Sequence, residues 1–330
     1  MNSTASNTPA VAGLHHVTAI ASDPRENLAF YTGLLGLRLV KKTVNFDDPS
    51  AYHLYYGDET GQPGTIVTFF YWPGFAARGR VGAGQMTAIT LSAPAGSLGF
   101  WEARLGAAHV ASERVTRFGE EALVFADPDG IPVEIVGTTG DTRAGWTAPG
   151  ITTENAIRGL HTAQLTVRNA AAMETLLTAE MGYRLVQREG GRARFEAGPG
   201  GSGRLVDVVA DASAAPGGVG GSGTIHHIAF RVADDATELA MSERLNRAGF
   251  MVSPVRDRNY FRSIYYRERN GILFEIATDV PGFAIDESVA ELGTALKLPE
   301  MFEPHRHAIE KALPPLETGS AATPAPTAAV

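Results

Sequence analysis

Four times along the 330-residue chain, an apolar strand-like run is followed by a helical stretch that closes on a glycine, and then by further alternating strands. This self-similarity constrains the fold more than any other feature, because a repeated supersecondary unit must be set against its copies to bury its apolar face. The clearest pair is FYTGLLGLRLV (30–40) and LLTAEMGYRLV (176–186), with weaker echoes in WEARLGAAHVAS (101–112) and RLNRAGFMVS (244–253). The closing glycines are Gly36, Gly106, Gly182 and Gly249. Each is expected in the left-handed position just past a helix end, which glycine tolerates best.

Aligned on those glycines, the modules place His16, Thr87, His161 and His227 at matching first-strand positions. Phe69, Glu134, Asp207 and Glu275 fall near matching last-strand positions, and DPDGIPVEIVG and RERNGILFEIAT read as the same turn and strand. The first helix is well punctuated, with Asp23 as N-cap, Pro24 at N1 and Glu26 at N3. Leu28, Tyr31 and Leu35 follow as an apolar stripe at helical spacing. The segments 138–155 and 212–223 are rich in glycine, proline and small polar residues and read as linkers. Residues 13–150 therefore form an N-terminal half with modules 1 and 2, and 151–310 a C-terminal half with modules 3 and 4. Residues 1–12 and 311–330 are read as disordered tails, the latter low in complexity.

Composition narrows the function classes. Hydrophobic residues make up 44% of the chain and charged residues 19%, enough for a sizeable core. A formal net charge of -8, with basic residues scattered, argues against nucleic acid or an anionic membrane as partner. No apolar run approaches the roughly 18 residues of a membrane span, and the N-terminus lacks a signal-peptide pattern, so the cytoplasm is expected. With no cysteine, any metal must be held by nitrogen and oxygen.

The chemistry concentrates in two histidine doublets, GLHHVTAI and TIHHIAFRV, each heading an apolar strand. A strand histidine and a carboxylate from a later strand suggest a facial triad of two histidines and one carboxylate, which leaves metal positions open for ligands. Module 4 offers His227 and Glu275; the second histidine must come from module 1 or module 3. Adjacent side chains on a regular strand point to opposite faces, so only one member of each doublet can be a ligand. The repeat register selects the second, His16 and His227, and puts His161 in the same register. A glutamate inside ILFEIA would be costly to bury unpartnered. His161, Glu134 and Asp207 could form a second site, but Thr87 stands where its other histidine should be, so a structural remnant is expected there. His53 is read as a packed or cavity-facing strand residue, and His305 and His307 as surface or interface residues.

GLHHVTAI, FYTGLLGLRLVKKTVNFDDP, YHLYYGDETGQPGT and GILFEIATD resemble the vicinal oxygen chelate superfamily, and within it the dioxygenases that open hydroquinone rings. The resemblance spans residues 13–310. It implies an α+β fold in which four βαβββ modules form two barrels of mixed sheet with outer helices. It implies iron(II) on His16, His227 and Glu275, with module 1 paired to module 4; manganese(II) accepts the same ligands. Surrounding roles are implied for His15, Thr18, His226, Arg258 and Tyr265. The expected partners are a small aromatic diol and dioxygen, and a homo-oligomer is compatible with the resemblance. Tyr265 has separate support. A three-residue hairpin loop, Arg269-Asn270-Gly271, pairs Glu268 with Ile272 and so sets Tyr265 opposite Glu275. The rival readings are a catechol-cleaving extradiol dioxygenase, a glyoxalase-like isomerase or epimerase, and a metal-free protein that binds small aromatics or antibiotics. Phe69, at the expected site of a fourth ligand, disfavours the isomerases.

Overall fold

The protein is described here from a computed structural model covering residues 10–72, 77–211 and 217–316. Module 1 supplies strands β1 (Gly13–Ile20), β2 (Arg38–Asn45), β3 (Asp48–Gly57) and β4 (Ile66–Tyr71). Module 2 supplies β5 (Gln85–Pro94), β6 (Glu113–Arg117), β7 (Glu120–Ala126) and β8 (Pro132–Thr138). Module 3 supplies β9 (Gly159–Val167), β10 (Arg184–Glu189), β11 (Arg192–Glu196) and β12 (Leu205–Ala210). Module 4 supplies β13 (Thr224–Val232), β14 (Arg256–Asp257), β15 (Phe261–Arg267) and β16 (Leu273–Pro281). In every module a helix lies between the first and second strands. The fourfold repeat is thus real at the level of structure.

The strands form two curled mixed sheets of eight. One runs β14-β15-β16-β13-β1-β4-β3-β2 and the other β10-β11-β12-β9-β5-β8-β7-β6. Modules 1 and 4 therefore share one sheet, and modules 2 and 3 the other. The boundary near residue 150 divides the chain into halves but not into sheets, since each sheet takes one module from each half.

Local signals account for the first helix. Asp23 accepts hydrogen bonds from the N–H groups of Arg25 and Glu26, with Pro24 inside the first turn. Tyr31 and Leu35 are fully buried, as the stripe requires. The helix widens into a π-helix over Ala29–Leu34, and its repeat partner does the same over Leu176–Glu180. Gly36, Gly182 and Gly249 adopt φ values of +69°, +81° and +86° at the ends of their helices. Gly106 departs from the expectation. It lies inside the helix Leu98–Ala107, and the left-handed residue beyond that helix is His109, with φ +57°. Histidine is among the residues enriched in that conformation, so the turn survives without glycine.

Ordered structure reaches into both of the expected tails. Val11 is buried and its N–H donates to the carbonyl of Met181. A helix runs from Arg306 to Ala312, and Leu313 and Leu316 pack into the core beyond it. Apolar side chains hold these segments, and the remainder of both tails lies outside the described residues, as does part of the 212–223 linker. His305 and His307 are exposed. The segment after β16 is tied back over β2 by the fully buried Lys41, which donates to Asp286 at 2.5 Å and to Glu287.

Candidate metal centre

Register explains the histidine doublets. Across β1 and β13, His16 pairs with Ala229 and Thr18 with His227, but the pairing slips between Leu14 and His16 and again between Thr18 and Ala19. His15 and His226 are the extra residues of two β-bulges, which bend the strand and re-aim a side chain. Strict alternation is broken at each doublet, so both of its histidines can approach one site.

From β1, β13 and β16, one ligand atom each of His16, His227 and Glu275 lies within 4.8 Å of the others. Among the described residues no other histidine–carboxylate group of three does so. The Nε2 atoms of His16 and His227 stand 3.4 Å and 2.9 Å from Oε2 of Glu275. Glu275 is 0% exposed, and neither of its oxygens has a partner with hydrogen-bonding geometry. A buried carboxylate in that state is costly; a metal ion facing all three groups would satisfy it. Burial alone would raise the pKa of Glu275, but the two imidazoles outweigh it and hold the carboxyl well below its usual range. Burial lowers the pKa of His227, with Glu275 pulling it back.

The outer nitrogens are also placed. Nε2 of His15 lies 3.1 Å from the carbonyl of Thr278, which can only accept, so Nε2 carries the proton. Burial, then His16, pushes the pKa of His15 down to about 3 and keeps the ring neutral. Its Nδ1 is left to accept from Nδ1 of His16 at 2.9 Å. That bond fixes the tautomer of His16 and turns its Nε2 lone pair toward Glu275. On the other strand, Nδ1 of His226 and of His227 are 2.7 Å apart. His226 is itself exposed at the rim.

A cavity of about 350 Å³ opens onto the triad, at the small end of ligand pockets. Arg258 and Tyr265 line it, and Tyr265 pairs with Glu275 in the expected register. The hairpin is as read, with Glu268 N–H donating to the Ile272 carbonyl and Gly271 at φ +99°. Arg258 donates from Nε to the Tyr265 hydroxyl at 3.0 Å and through a second nitrogen to Asp47 at 2.8 Å. Ser263 also donates to the Tyr265 hydroxyl, at 3.0 Å. Burial and Glu275 push the pKa of Tyr265 well above its ordinary value, against the pull of Arg258, so it keeps its proton. With two hydrogen bonds accepted, that proton is free to be donated.

Thr18 does not line the cavity. It is fully buried behind the cavity wall, where its hydroxyl accepts from Thr68 at 2.9 Å. The cavity wall on that side is instead His53, Tyr55 and Phe70, and Asn45, Phe46 and Asp47 come from the NFDD segment. Of these, only His53 drew attention in the sequence. Alternation could have exposed Tyr55, since it shares a face of β3 with His53.

Phe69 is not the counterpart of Glu275. It sits on the other face of the sheet, against Tyr31 at 4.6 Å and Tyr56 at 6.0 Å. In module 4 the residue two beyond His227, Ala229, pairs with Glu275; in module 1 the residue two beyond His16, Thr18, pairs with Thr68. Thr68 therefore occupies the position of a fourth ligand.

The second sheet is corrected in the same way. Glu134 pairs with Thr90 and Asp207 with Gln164, so both do occupy the Glu275 position. Two residues back from Thr90 and Gln164 stand Ala88 and Thr162, which are thus the counterparts of His16 and His227. Thr87 and His161 occupy the bulge positions instead, where the pairing slips. His161 contacts Ser202 at 2.9 Å and Glu120 at 3.1 Å. Arg194 makes two 2.8 Å bonds to Asp207, and Arg117 pairs with Glu134. Only about 10 Å³ of space remains between the Arg117–Glu134 and Arg194–Asp207 pairs. Two guanidinium groups neutralise the carboxylates that a metal would otherwise bridge. Glu134→Gln and Asp207→Asn should therefore leave metal content unchanged at about one per chain. Asp207→Asn should cost on the order of 3 kcal/mol, the scale of a broken buried pair, read from the urea midpoint. A second equivalent of metal that disappears with Glu134→Gln would overturn this.

Comparison with known proteins shows the family and agrees with the fold. The family model described as the Glyoxalase/Bleomycin resistance protein/Dioxygenase superfamily matches residues 13–135 and 159–276. The chain belongs to that superfamily. MhqO of Bacillus subtilis (strain 168), whose name describes a ring-cleaving dioxygenase, is 46% identical to this superfamily member over 307 residues, 92% of this chain and 96% of MhqO. The chlorohydroquinone/hydroquinone 1,2-dioxygenase of Sphingobium indicum is 35% identical over 299 residues, covering 89% and 93% of the two chains. A crystal structure of a Bacillus subtilis protein described as a dioxygenase aligns with a TM-score of 0.90 at 45% identity, over 93% of this chain and 98% of that one. Glyoxalase I from Zea mays aligns with a TM-score of 0.59 at 13% identity over 81% and 92%, a likeness of fold alone.

Proposed function

We propose that the protein is an iron(II)-dependent dioxygenase that opens the ring of a hydroquinone-type diol, with manganese(II) an alternative in the same ligands. The observation that carries this reading is the buried group of His16, His227 and Glu275, with no fourth candidate ligand beside them among the described residues. Thr68 stands at the fourth position and is bonded to Thr18 and His53, whereas a glyoxalase-like Lewis-acid site would place a further ligand there. The relatives' names support the same reaction class, and the Sphingobium relative's name supports the hydroquinone. When bound, the metal would supply the electronic link between the ring and dioxygen that the side chains lack.

The protein's own groups do the rest. His15 holds His16 in the ligating tautomer, and His226 is set to do the same for His227. Arg258 provides a fixed positive charge toward developing anionic oxygen at the cavity wall. Tyr265 can donate its proton to that oxygen, while the exposed edge of His226 can pass protons to solvent. Phe70 and Phe261 flank the histidines and exclude water from their faces. No helix among the described residues is long and apolar enough to cross a membrane, and a cysteine-free chain suits our proposed cytoplasmic location.

The direct test is anaerobic purification, metal analysis and oxygen uptake across catechols and hydroquinones. An enzyme with bound iron that consumes no oxygen with any diol would refute the reading. Replacing His15 with alanine should weaken metal binding by about 10–100-fold, as loss of an orienting partner does elsewhere. A metal-competition titration measures this, and unchanged affinity would remove His15 from the role.

A further inference from the structure

The triad sits in a sheet with approximate twofold symmetry, and the symmetry has a second product. One row across the strands reads His16, Ala229, Glu275, Tyr265, on β1, β13, β16 and β15. The symmetry-related row reads His227, Thr18, Thr68, Tyr55, on β13, β1, β4 and β3. Tyr55 is thus the counterpart of Tyr265, and both line the cavity.

Their hydroxyls are wired in opposite senses. Tyr265 accepts from Arg258 and Ser263, which leaves its proton free. The residue corresponding to Ser263 beside Tyr55 is His53. Thr68 donates to Thr18, so it accepts from Nε2 of His53 at 2.8 Å. Nδ1 of His53 is then an acceptor and takes the Tyr55 proton at 2.9 Å. Burial, with His16 and His227 adding to it, holds the His53 pKa well below its ordinary value, so the ring stays neutral. With its proton committed to His53, the Tyr55 oxygen can only accept.

We propose that Tyr55, oriented by His53, accepts the hydrogen bond of the diol's second hydroxyl, the one not held at the triad. This rests on the ring-cleaving reading and adds a source of specificity to it. The site would present a donor, Tyr265, to one substrate oxygen and an acceptor, Tyr55, to the other. A ring anchored through a single oxygen needs such a second hold to fix its orientation. His53 acts through Tyr55 and is a positioning residue.

The test is a cycle of two ligands and two proteins, read as anaerobic dissociation constants on metal-loaded enzyme. Hydroquinone carries the second hydroxyl and phenol does not. Tyr55→Phe should weaken hydroquinone about tenfold, the scale of one hydrogen bond, and leave phenol and metal content unchanged. The ring of Tyr55 packs between Tyr260 and Phe283, so phenylalanine keeps that packing. Should Tyr55→Phe fail to fold, His53→Phe must show the same selective loss, because it frees the Tyr55 hydroxyl to turn away. Equal weakening of both ligands, or of neither, overturns the proposal. Oxygen uptake by the wild type with hydroquinone, measured in parallel, separates the two ideas. Uptake without selective loss refutes the Tyr55 role alone, and absence of uptake with every diol refutes the reaction.

Discussion

Alanine in place of His16, His227 or Glu275 is expected to remove stoichiometric metal and, with it, oxygen uptake, while the circular dichroism spectrum stays that of the folded protein. The expected loss in kcat/KM is at least about three orders of magnitude, the scale of several kcal/mol of metal-dependent stabilisation. The reason is geometric: the three ligand atoms lie within 4.8 Å of one another, and among the described residues no other histidine or carboxylate joins the group. Glu275→Gln is the sharper variant, because it keeps the volume in a position with no exposure and removes only the charge. His161→Ala serves as the contrast, since His161 belongs to the other sheet and contacts Ser202 and Glu120. Iron that is lost with His161→Ala and kept with His16→Ala would show that the wrong modules had been paired.

The second large effect concerns which diol is opened. A catechol can grip a metal through two neighbouring oxygens, whereas a hydroquinone offers one, so its transition state depends more on the surrounding polar groups. Arg258 is fixed at the cavity wall by two directed bonds, to Tyr265 and Asp47. Arg258→Leu should reduce kcat/KM for hydroquinones by about 2–4 kcal/mol, or 10²–10³-fold, comparable to the loss of one oxyanion contact. Metal content should be untouched. Steady-state oxygen uptake with matched para and ortho diols decides the matter. Substituted hydroquinones should have the higher kcat/KM, and the variant should narrow the gap. A clear preference for catechol, or unchanged kinetics in the variant, would sink the argument.

Much of the site was legible in the chain because its signals are local. The doublets, the buried glutamate in ILFEIA and the Arg269-Asn270-Gly271 loop each need only a few neighbouring residues to be read. What failed was counting across a strand that contains a bulge. Alternation assumes one residue per step, and each first strand of the four modules violates that near its histidine or threonine. The slip moved His161 and Thr87 into ligand register, where Thr162 and Ala88 belong, and a similar error of one put Phe69 in place of Thr68. Thr18 came only from the resemblance, since nothing in sequence tells a wall residue from the one behind it. Tyr55 was passed over for the complementary reason. Its significance lies in a symmetry between strands 200 or so residues apart, which pairing reveals and composition does not.

The order of the modules also bears on how the chain reaches its folded state. Residues 85–210 form one complete sheet from a continuous stretch, nested between the two modules of the other. Strand β1 must wait for β13, which follows it by about 200 residues, and pairings of such long range are slow and leave a strand edge exposed meanwhile. If the inner sheet collapses first, the loop to be closed shrinks from that whole span to residues 21–84 and 211–223 on either side of a compact body, and the entropic barrier falls accordingly. The inner sheet, with its arginine–carboxylate pairs, would then act during synthesis as the spacer that brings the first and last modules within reach of each other.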